Sequence, residues 1–499
     1  MRIDAVLAAR PARAVVELAT SDLLAGAGAL LEAGYRLALV AAHDDADALR
    51  VVYLFVDGPP DQRVEIHVRL SRDAPIVPSL AGLSFPAGRF EREMADLFGV
   101  VAQGHPQPRP LVTHQHWPRD WHPLRHDARE RGPWLRDADA FPFAPVEGEG
   151  VYEIPVGPIH AGIIEPGHFR FWVVGETIIK MKARLWFTHK GVEKLFEGRT
   201  SAGALALAER ISGDSAVGHS LAQALALEEA LGVSVDADAT RARALLLELE
   251  RLYNHVADVG ALCNDAAFSL AQARALTLRE SLLRLNERVT GHRLLRGTIG
   301  LGTCELREAP RVEELDDVAS RFGEIVALAR ANGIVMDRFR GTGVLAHESA
   351  CDIGVLGVAA RASGVENDAR VAHPLVTCAS YVPRLETTGD VMARFDVRVR
   401  EVAVSLAMVR ELLGASTPDV VSPSANAYAR SGTGIVEGWR GTIVHRVEVN
   451  AEGALTRAKV VDPSFVTWPA LSVALANTIV PDFPLVNKSF NLSYAGNDL

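Results

Sequence analysis

The spacing of the apolar residues changes once along this chain, and that change restricts its possible folds more than any single motif does. Up to about residue 115 they recur every second position: Val64, Ile66, Val68 and Leu70 alternate with polar neighbours, the pattern of a half-buried strand. Beyond about residue 200 they recur every third or fourth. Leu245, Leu249, Leu252, Val256 and Val259 form one stripe, with Thr240 as the expected N-cap. Val312, Leu315, Val318, Phe322 and Ile325 form a second, and Phe395, Val399, Val402, Leu406, Val409 and Leu413 a third. Helices with one apolar side bury it against one another, so the pattern predicts a bundle. A mixed portion followed by a mainly helical one is an α+β architecture.

Within the mixed portion, strands are expected over 35–42, 49–56 and 63–70, the last two joined by Gly58-Pro59-Pro60-Asp61 into a hairpin. Phe90 to Phe98 reads as a short amphipathic helix. From Pro118 to Gly150, Arg, Asp, Pro and Gly crowd together without a period, which predicts a linker. A second hairpin is expected over 442–449 and 455–461, turning at Asn450-Ala451-Glu452-Gly453. The domains are therefore read as 1–117 and 151–499, with the linker 118–150 between them.

A net charge of −10 over 499 residues, with no dense basic cluster, excludes nucleic acid as the main partner. No run of 18 apolar residues is present and no signal peptide is read at the start. Cys263, Cys304, Cys351 and Cys378 include no Cys-x-x-Cys pair. That spacing gives neither a local metal turn nor a disulfide framework, so buried, reduced thiols are expected.

The run from Glu91 to Val100 (EREMADLFGV), then Gly104-His105-Pro106 and His122-Pro123-Leu124-Arg125, resembles the signature of the 30 kDa-type subunit of respiratory complex I. Further on, Val156-Gly157-Pro158-Ile159-His160-Ala161-Gly162 and His189-Lys190-Gly191-Val192-Glu193-Lys194 resemble the 49 kDa-type subunit and the large subunits of membrane-bound nickel-iron hydrogenases. Glu165-Pro166-Gly167-His168-Phe169-Arg170 is closer to the hydrogenase branch. The resemblance implies a 30 kDa-type mixed α/β domain, then a mainly helical hydrogenase-large-subunit-like domain with small peripheral sheets.

It also singles out two turns. Where the hydrogenases carry Arg-x-Cys-Gly-x-Cys, this chain reads Arg210-Ile211-Ser212-Gly213-Asp214-Ser215; where they carry a second pair near the carboxyl end, it reads Asn491-Leu492-Ser493-Tyr494-Ala495-Gly496. The four thiolate positions thus hold Ser212, Ser215, Ser493 and Gly496. Hydroxyls are hard and uncharged, poor ligands for a soft metal that must also bind hydride, so no metal is expected. In the complex I branch the same cavity admits quinone, hydrogen-bonded by a Tyr and a His. Those positions hold Gly213 and Pro166 here.

The expected catalytic set is the polar remainder, Arg210, Asp214, Glu165 and Asp265, handling protons, with His160, His168 and Gly213 lining the cavity. Buried carboxylates near an arginine have shifted proton affinities, which suits relay. His219 and His255 are expected to be satisfied histidines packed between helices. The resemblance implies the core subunit of a membrane-associated, ion-translocating oxidoreductase complex without hydrogen chemistry. Its donor would be NAD(P)H or ferredoxin and its acceptor quinone. The chain itself would bind no cofactor and lie in the cytoplasm on the inner face of the cell membrane, in a hetero-oligomer with a small iron-sulfur subunit and antiporter-like membrane subunits. The alternative is a non-catalytic scaffold in an ion or inorganic-carbon transport assembly.

Overall fold

The computed structural model describes residues 2–128, 134–135, 141–162, 164–414 and 430–499. The N-terminal domain is built on a four-stranded sheet of β1 (Arg13–Glu17), β2 (Arg36–Asp44), β3 (Leu49–Asp57) and β4 (Gln62–Leu70), in the order β1-β4-β3-β2. β3 and β4 make the expected hairpin, with Leu49 opposite Leu70 and Asp57 opposite Gln62, and β1 adds parallel to β4. Helix α1 (Phe85–Phe98) begins five residues before the expected start, with Pro86 in its first turn, and buries Phe90, Met94, Leu97 and Phe98.

Residues 129–133 and 136–140 of the expected linker lie outside the described residues. The part before them is packed: the Leu124 N–H bonds the Leu97 carbonyl and its side chain is buried. The second domain opens with an antiparallel sheet of β5 (Val151–Val156), β6 (His168–Val174) and β7 (Thr177–Arg184). Its helices follow: α2 (Ala216–Leu231), α3 (Ala237–Asp265), α4 (Ser269–Thr290), α5 (Val312–Ala331) and α6 (Val391–Leu413). Central α3 packs against α4 and α6. It starts earlier than expected because Asp236, not Thr240, is the cap: the Asp236 carboxylate accepts the Ala239 N–H at 2.7 Å.

A second antiparallel sheet, β8 (Ser431–Gly438), β9 (Gly441–Val449) and β10 (Leu455–Val461), contains the expected hairpin and lies flat on α2. Its approach is close enough that a Cβ at Gly434 would stand 1.9 Å from the Ala222 carbonyl oxygen, which is why this strand tolerates glycine. Helix α7 (Pro463–Ala474) leads to the carboxyl-terminal turns.

The sheets of the two domains meet through charge. Arg446 of β9 grips Glu65 of β4 with two hydrogen bonds of 2.9 Å, Arg50 of β3 bonds Glu448, and Lys459 of β10 reaches Glu93 of α1 at 2.6 Å. One apolar core runs through both domains. Cys263, Cys304 and Cys378 are buried, but Cys351 is exposed, contrary to the expectation for all four. Its short helix buries Ala350 and Ile353, which turns Cys351 outward. Among the described residues no helix is long and apolar enough to cross a membrane.

Candidate functional site

The two singled-out turns, nearly three hundred residues apart in sequence, touch. Ser212 Oγ and Ser493 Oγ are 2.8 Å apart and both side chains are buried. Ser493 caps the short helix Tyr494–Asp498 by accepting the Gly496 N–H at 2.8 Å, and Ser212 donates to Asp214 Oδ1 at 2.9 Å. Only one direction of donation satisfies every group: Gly496 N–H to Ser493, Ser493 to Ser212, Ser212 to the Asp214 carboxylate. The chain of hydroxyls ends on an ion pair. Arg440, in the turn between β8 and β9, donates to both oxygens of Asp214 at 2.7 and 2.6 Å and to Ser215 Oγ at 3.3 Å. Partial burial pushes the Asp214 carboxyl up, but Arg440 and the Ser212 hydroxyl outweigh it and hold it at about 2.

The fourth position is closed by a side chain from elsewhere. A Cβ at Gly496 would stand 2.5 Å from Asp462 Oδ2. Asp462 begins α7, where its carboxylate accepts the Ser464 N–H, and it also meets His219 Nε2 at 3.1 Å; His219 Nδ1 in turn lies 3.0 Å from His445 Nε2. His219 is therefore fully hydrogen-bonded inside the core.

Beneath the first turn, Ser215 stands at the N-cap of α2 but makes no side-chain cap. Glu250 of α3 does that work: its carboxyl accepts the N–H groups of Val217 and Gly218 at 2.7 and 3.0 Å. Burial, aided by the Asp214 charge, pushes Glu250 up to about 8. Two turns further along α3, Asp258 accepts from Arg398 at 2.9 Å and from Asn491 Nδ2 at 2.7 Å, with Lys488 Nζ at 3.3 Å. Arg440 Nε donates to the Asn491 carbonyl at 2.5 Å, which ties this cluster to Asp214.

The site offers hydroxyls, carboxylates and the cationic side chains of Arg440, Arg398 and Lys488, with no thiolate at either turn. Such oxygen donors are hard, and a soft redox metal needs thiolates. The residues present do not fit nickel. Among the described residues the one group of three His, Cys, Asp or Glu spaced to hold an ion is His43, Asp45 and Glu448 in the seam between the domains, where Arg50 already bonds both acids.

Comparison with known proteins agrees with this topology. Residues 16–133 match the model of the respiratory-chain NADH dehydrogenase 30 Kd subunit, and residues 266–431 that of the 49 Kd subunit. Over 425 residues the chain is 32% identical to hydrogenase-4 component G of Escherichia coli (strain K12), covering 82% of this chain and 73% of that one. The chain belongs to this family of fused 30 kDa/49 kDa-type large subunits. A second member, formate hydrogenlyase subunit 5 of the same organism, is 30% identical over 449 residues, 87% of this chain and 79% of that one. NADH-quinone oxidoreductase subunit 4 of Thermus thermophilus is 29% identical over 378 residues, 68% and 92% of the two chains. The fold recurs in a solved chain of the membrane-bound sulfane sulfur reductase, an archaeal respiratory membrane complex, with a TM-score of 0.62 and 24% identity over 71% of this chain and 100% of that one.

In this family member the sequence-derived residues separate. Asp214 and Glu165 are at the junction of the turns; Glu165 accepts the Ala495 N–H at 3.1 Å. Gly213 is exposed at the tip of its turn. Arg210 is not the partner of Asp214: its side chain is 57% exposed and folds back to Glu209 and the Ala206 carbonyl. Asp265 stands apart at the end of α3, half-buried, and burial raises its carboxyl. His160 and His168 staple their own loop by bonding the Gly167 and Gly157 carbonyls at 2.7 and 3.1 Å. His255 is buried and lies 2.8 Å from Glu401, but its Nδ1 has no partner, so it is not the fully satisfied histidine expected.

Sequence reasoning missed Glu250, Asp258, Arg440 and Asp462. For Asp258 a signal existed, since it precedes Asp265 by two helical turns and shares its stripe. Arg440 reads as an ordinary hairpin residue and Glu250 as one charge among many on α3.

Proposed function

We propose that this chain is the core large subunit of a membrane-associated, ion-translocating oxidoreductase complex, and that its pocket passes protons without holding nickel. The observation that carries this is the Ser212–Ser493 contact, with Asp462 filling the space at Gly496. The hydrogenase-type frame is retained while oxygen donors occupy the sulfur positions. Family membership with subunits of hydrogenase-4, formate hydrogenlyase and NADH-quinone oxidoreductase supports the assembly. On this reading the chain lies on the inner face of the membrane, beside a small iron-sulfur subunit and antiporter-like membrane subunits, and quinone is the acceptor. The chemistry left to it is proton delivery: Asp214, pinned by Arg440, ends a line of hydroxyls able to reorient and hand protons on.

The direct contact of the two hydroxyls also favours a second reading, a scaffold in an ion or inorganic-carbon transport assembly, whose closed pocket admits no substrate. The assembled complex separates the two. With a reduced iron-sulfur partner and a quinone analogue, Asp214→Asn is expected to slow electron flow about a hundredfold or more, the low end for a group positioned to move a proton. Unchanged flow would remove Asp214 from the proton path, and no flow in the wild type alongside ion transport unchanged by the substitution favours the scaffold.

A further inference from the structure

We propose that the recess between α1 and the loop over residues 108–119 is a docking site for an acidic segment of a partner subunit. The inference rests on membership of a multisubunit assembly and goes beyond the proton-handling reading. The recess, about 670 Å³, has Pro108, Pro118 and the Trp117 ring on its walls, with Arg92, Arg109 and Arg119 among them.

The chain carries a net charge of −10, yet here cations collect without answering acids. Elsewhere buried cations are met by carboxylates, as Arg446 is by Glu65 and Arg243 by Glu228. Among the described residues, Arg92, Arg109, Arg119 and Lys182 form no ion pair. Arg92 instead donates to the carbonyls of Arg109 at 2.7 Å and Pro110 at 2.9 Å, and Arg109 donates to Gln107 of its own loop at 3.1 Å. Beneath them, Arg184 of β7 holds the carbonyls of Leu111 and Thr113. Two acids line the recess, and both are spent on the protein's own donors. Asp96 accepts the N–H groups of Leu111, Val112 and Thr113, and Glu91 accepts the Ser79 hydroxyl and the Leu80 N–H.

The cations are close enough to feel one another. Burial and a neighbouring guanidinium, Arg109 for Arg92 and Arg92 for Arg184, lower both to about 10 against the pull of Asp96. Lys182 is lowered by burial and by Arg109, Lys180 and Arg92, cations all. A concave wall of one sign focuses its field on whatever enters, and an incoming anion relieves the repulsion.

The donors do not converge on one point. Arg92 and Arg184 are committed to carbonyls and the amides of 111–113 to Asp96, so no nest of N–H groups is left for a single phosphate. Separate cations beside proline and tryptophan walls instead match carboxylates carried at intervals on an extended segment, with apolar side chains between them, as when arginine clusters read acidic motifs. A flat bilayer does not reach Arg92 and Arg109, which are half-buried in the recess.

Fluorescence anisotropy of the full chain with a labelled peptide of alternating Glu and Leu tests the site. Binding is expected to weaken as salt rises, and to fall about tenfold or more in Arg109→Glu with Lys182→Glu, which set like charges against the peptide. Neither side chain ties one element to another, so the melting temperature is expected to stay in place. Arg274→Glu with Arg284→Glu makes the same change of charge on α4, at cations paired with Glu324 and Glu280, and is expected to bind as wild type does. In the assembled complex the Arg109/Lys182 variant is expected to lose a partner subunit at lower salt than either the wild type or the α4 variant. Equal binding of a Gln–Leu peptide, an equal loss in the α4 variant, or a complex that holds its subunits equally in all three forms overturns the docking site. So does displacement of the peptide by inorganic phosphate beyond that by chloride of equal ionic strength, or by phosphatidylglycerol vesicles, which would mean a small-anion or lipid site. A complex with no electron flow would remove the proposed function and leave these binding readouts to decide this inference.

Discussion

Glu250 and Asp214 lie near each other and are driven in opposite directions by different neighbours. Asp214 has Arg440 on both oxygens and a side chain 40% exposed, and both keep it charged. Glu250 is 1% exposed and its hydrogen bonds come from backbone N–H groups, so burial dominates and its carboxyl sits up at about 8. The unfolded chain releases that proton near pH 4.3. Between about pH 4.3 and 8 the folded state therefore holds one proton more than the unfolded state, and the contribution of Glu250 to stability, complete below that window, declines as pH rises through it. Glu250→Gln cannot ionise in either state. Its stability relative to wild type is expected to rise from pH 5 to pH 8, by at most about 1.4 kcal/mol per unit. Denaturant midpoints at three pH values measure this, and parallel curves would reject the protonated carboxyl.

The helices and hairpins follow from local spacing, which is why they could be read directly. Stripes of period 3.6 marked α3, α5 and α6, and alternation around a Gly-Pro-Pro-Asp turn marked β3 and β4. What joins the elements was not legible. Arg446 and Glu65 are 381 residues apart, and Asp214 and Arg440 are 226 apart; no local pattern announces either pair. The two turns were singled out by their motifs, but the sequence put Arg210 in the site and not Arg440, because adjacency in the chain says nothing about which way a side chain leaves its turn. Likewise, alternation on β4 implied one wet face, and Glu65 is instead covered by β9. Removing one partner of that pair is costly: Arg446→Ala is expected to lower stability by about 3–5 kcal/mol, whereas Arg446→Met with Glu65→Leu is expected to regain most of the loss. Chemical denaturation of the three variants checks it, and a fully additive double variant would count against the pairing.

Considered as one body, the protein has a single apolar core crossing the domain seam, with buried charges from α1, β3 and β4 answered by β9 and β10. Both domains are expected to unfold together, so tryptophan fluorescence and far-ultraviolet circular dichroism should report coincident thermal transitions. Separated transitions would mean that the seam is weaker than its ion pairs suggest. We propose that the site at the two turns is a pocket of hydrogenase type whose sulfur positions hold oxygen donors and a closed glycine. This central claim is tested most directly by the metal content of the assembled complex, purified from nickel-supplemented cells and assayed for hydrogen-dependent dye reduction. Substoichiometric nickel and no dye reduction are expected. One nickel per chain together with hydrogen-dependent reduction would contradict the account.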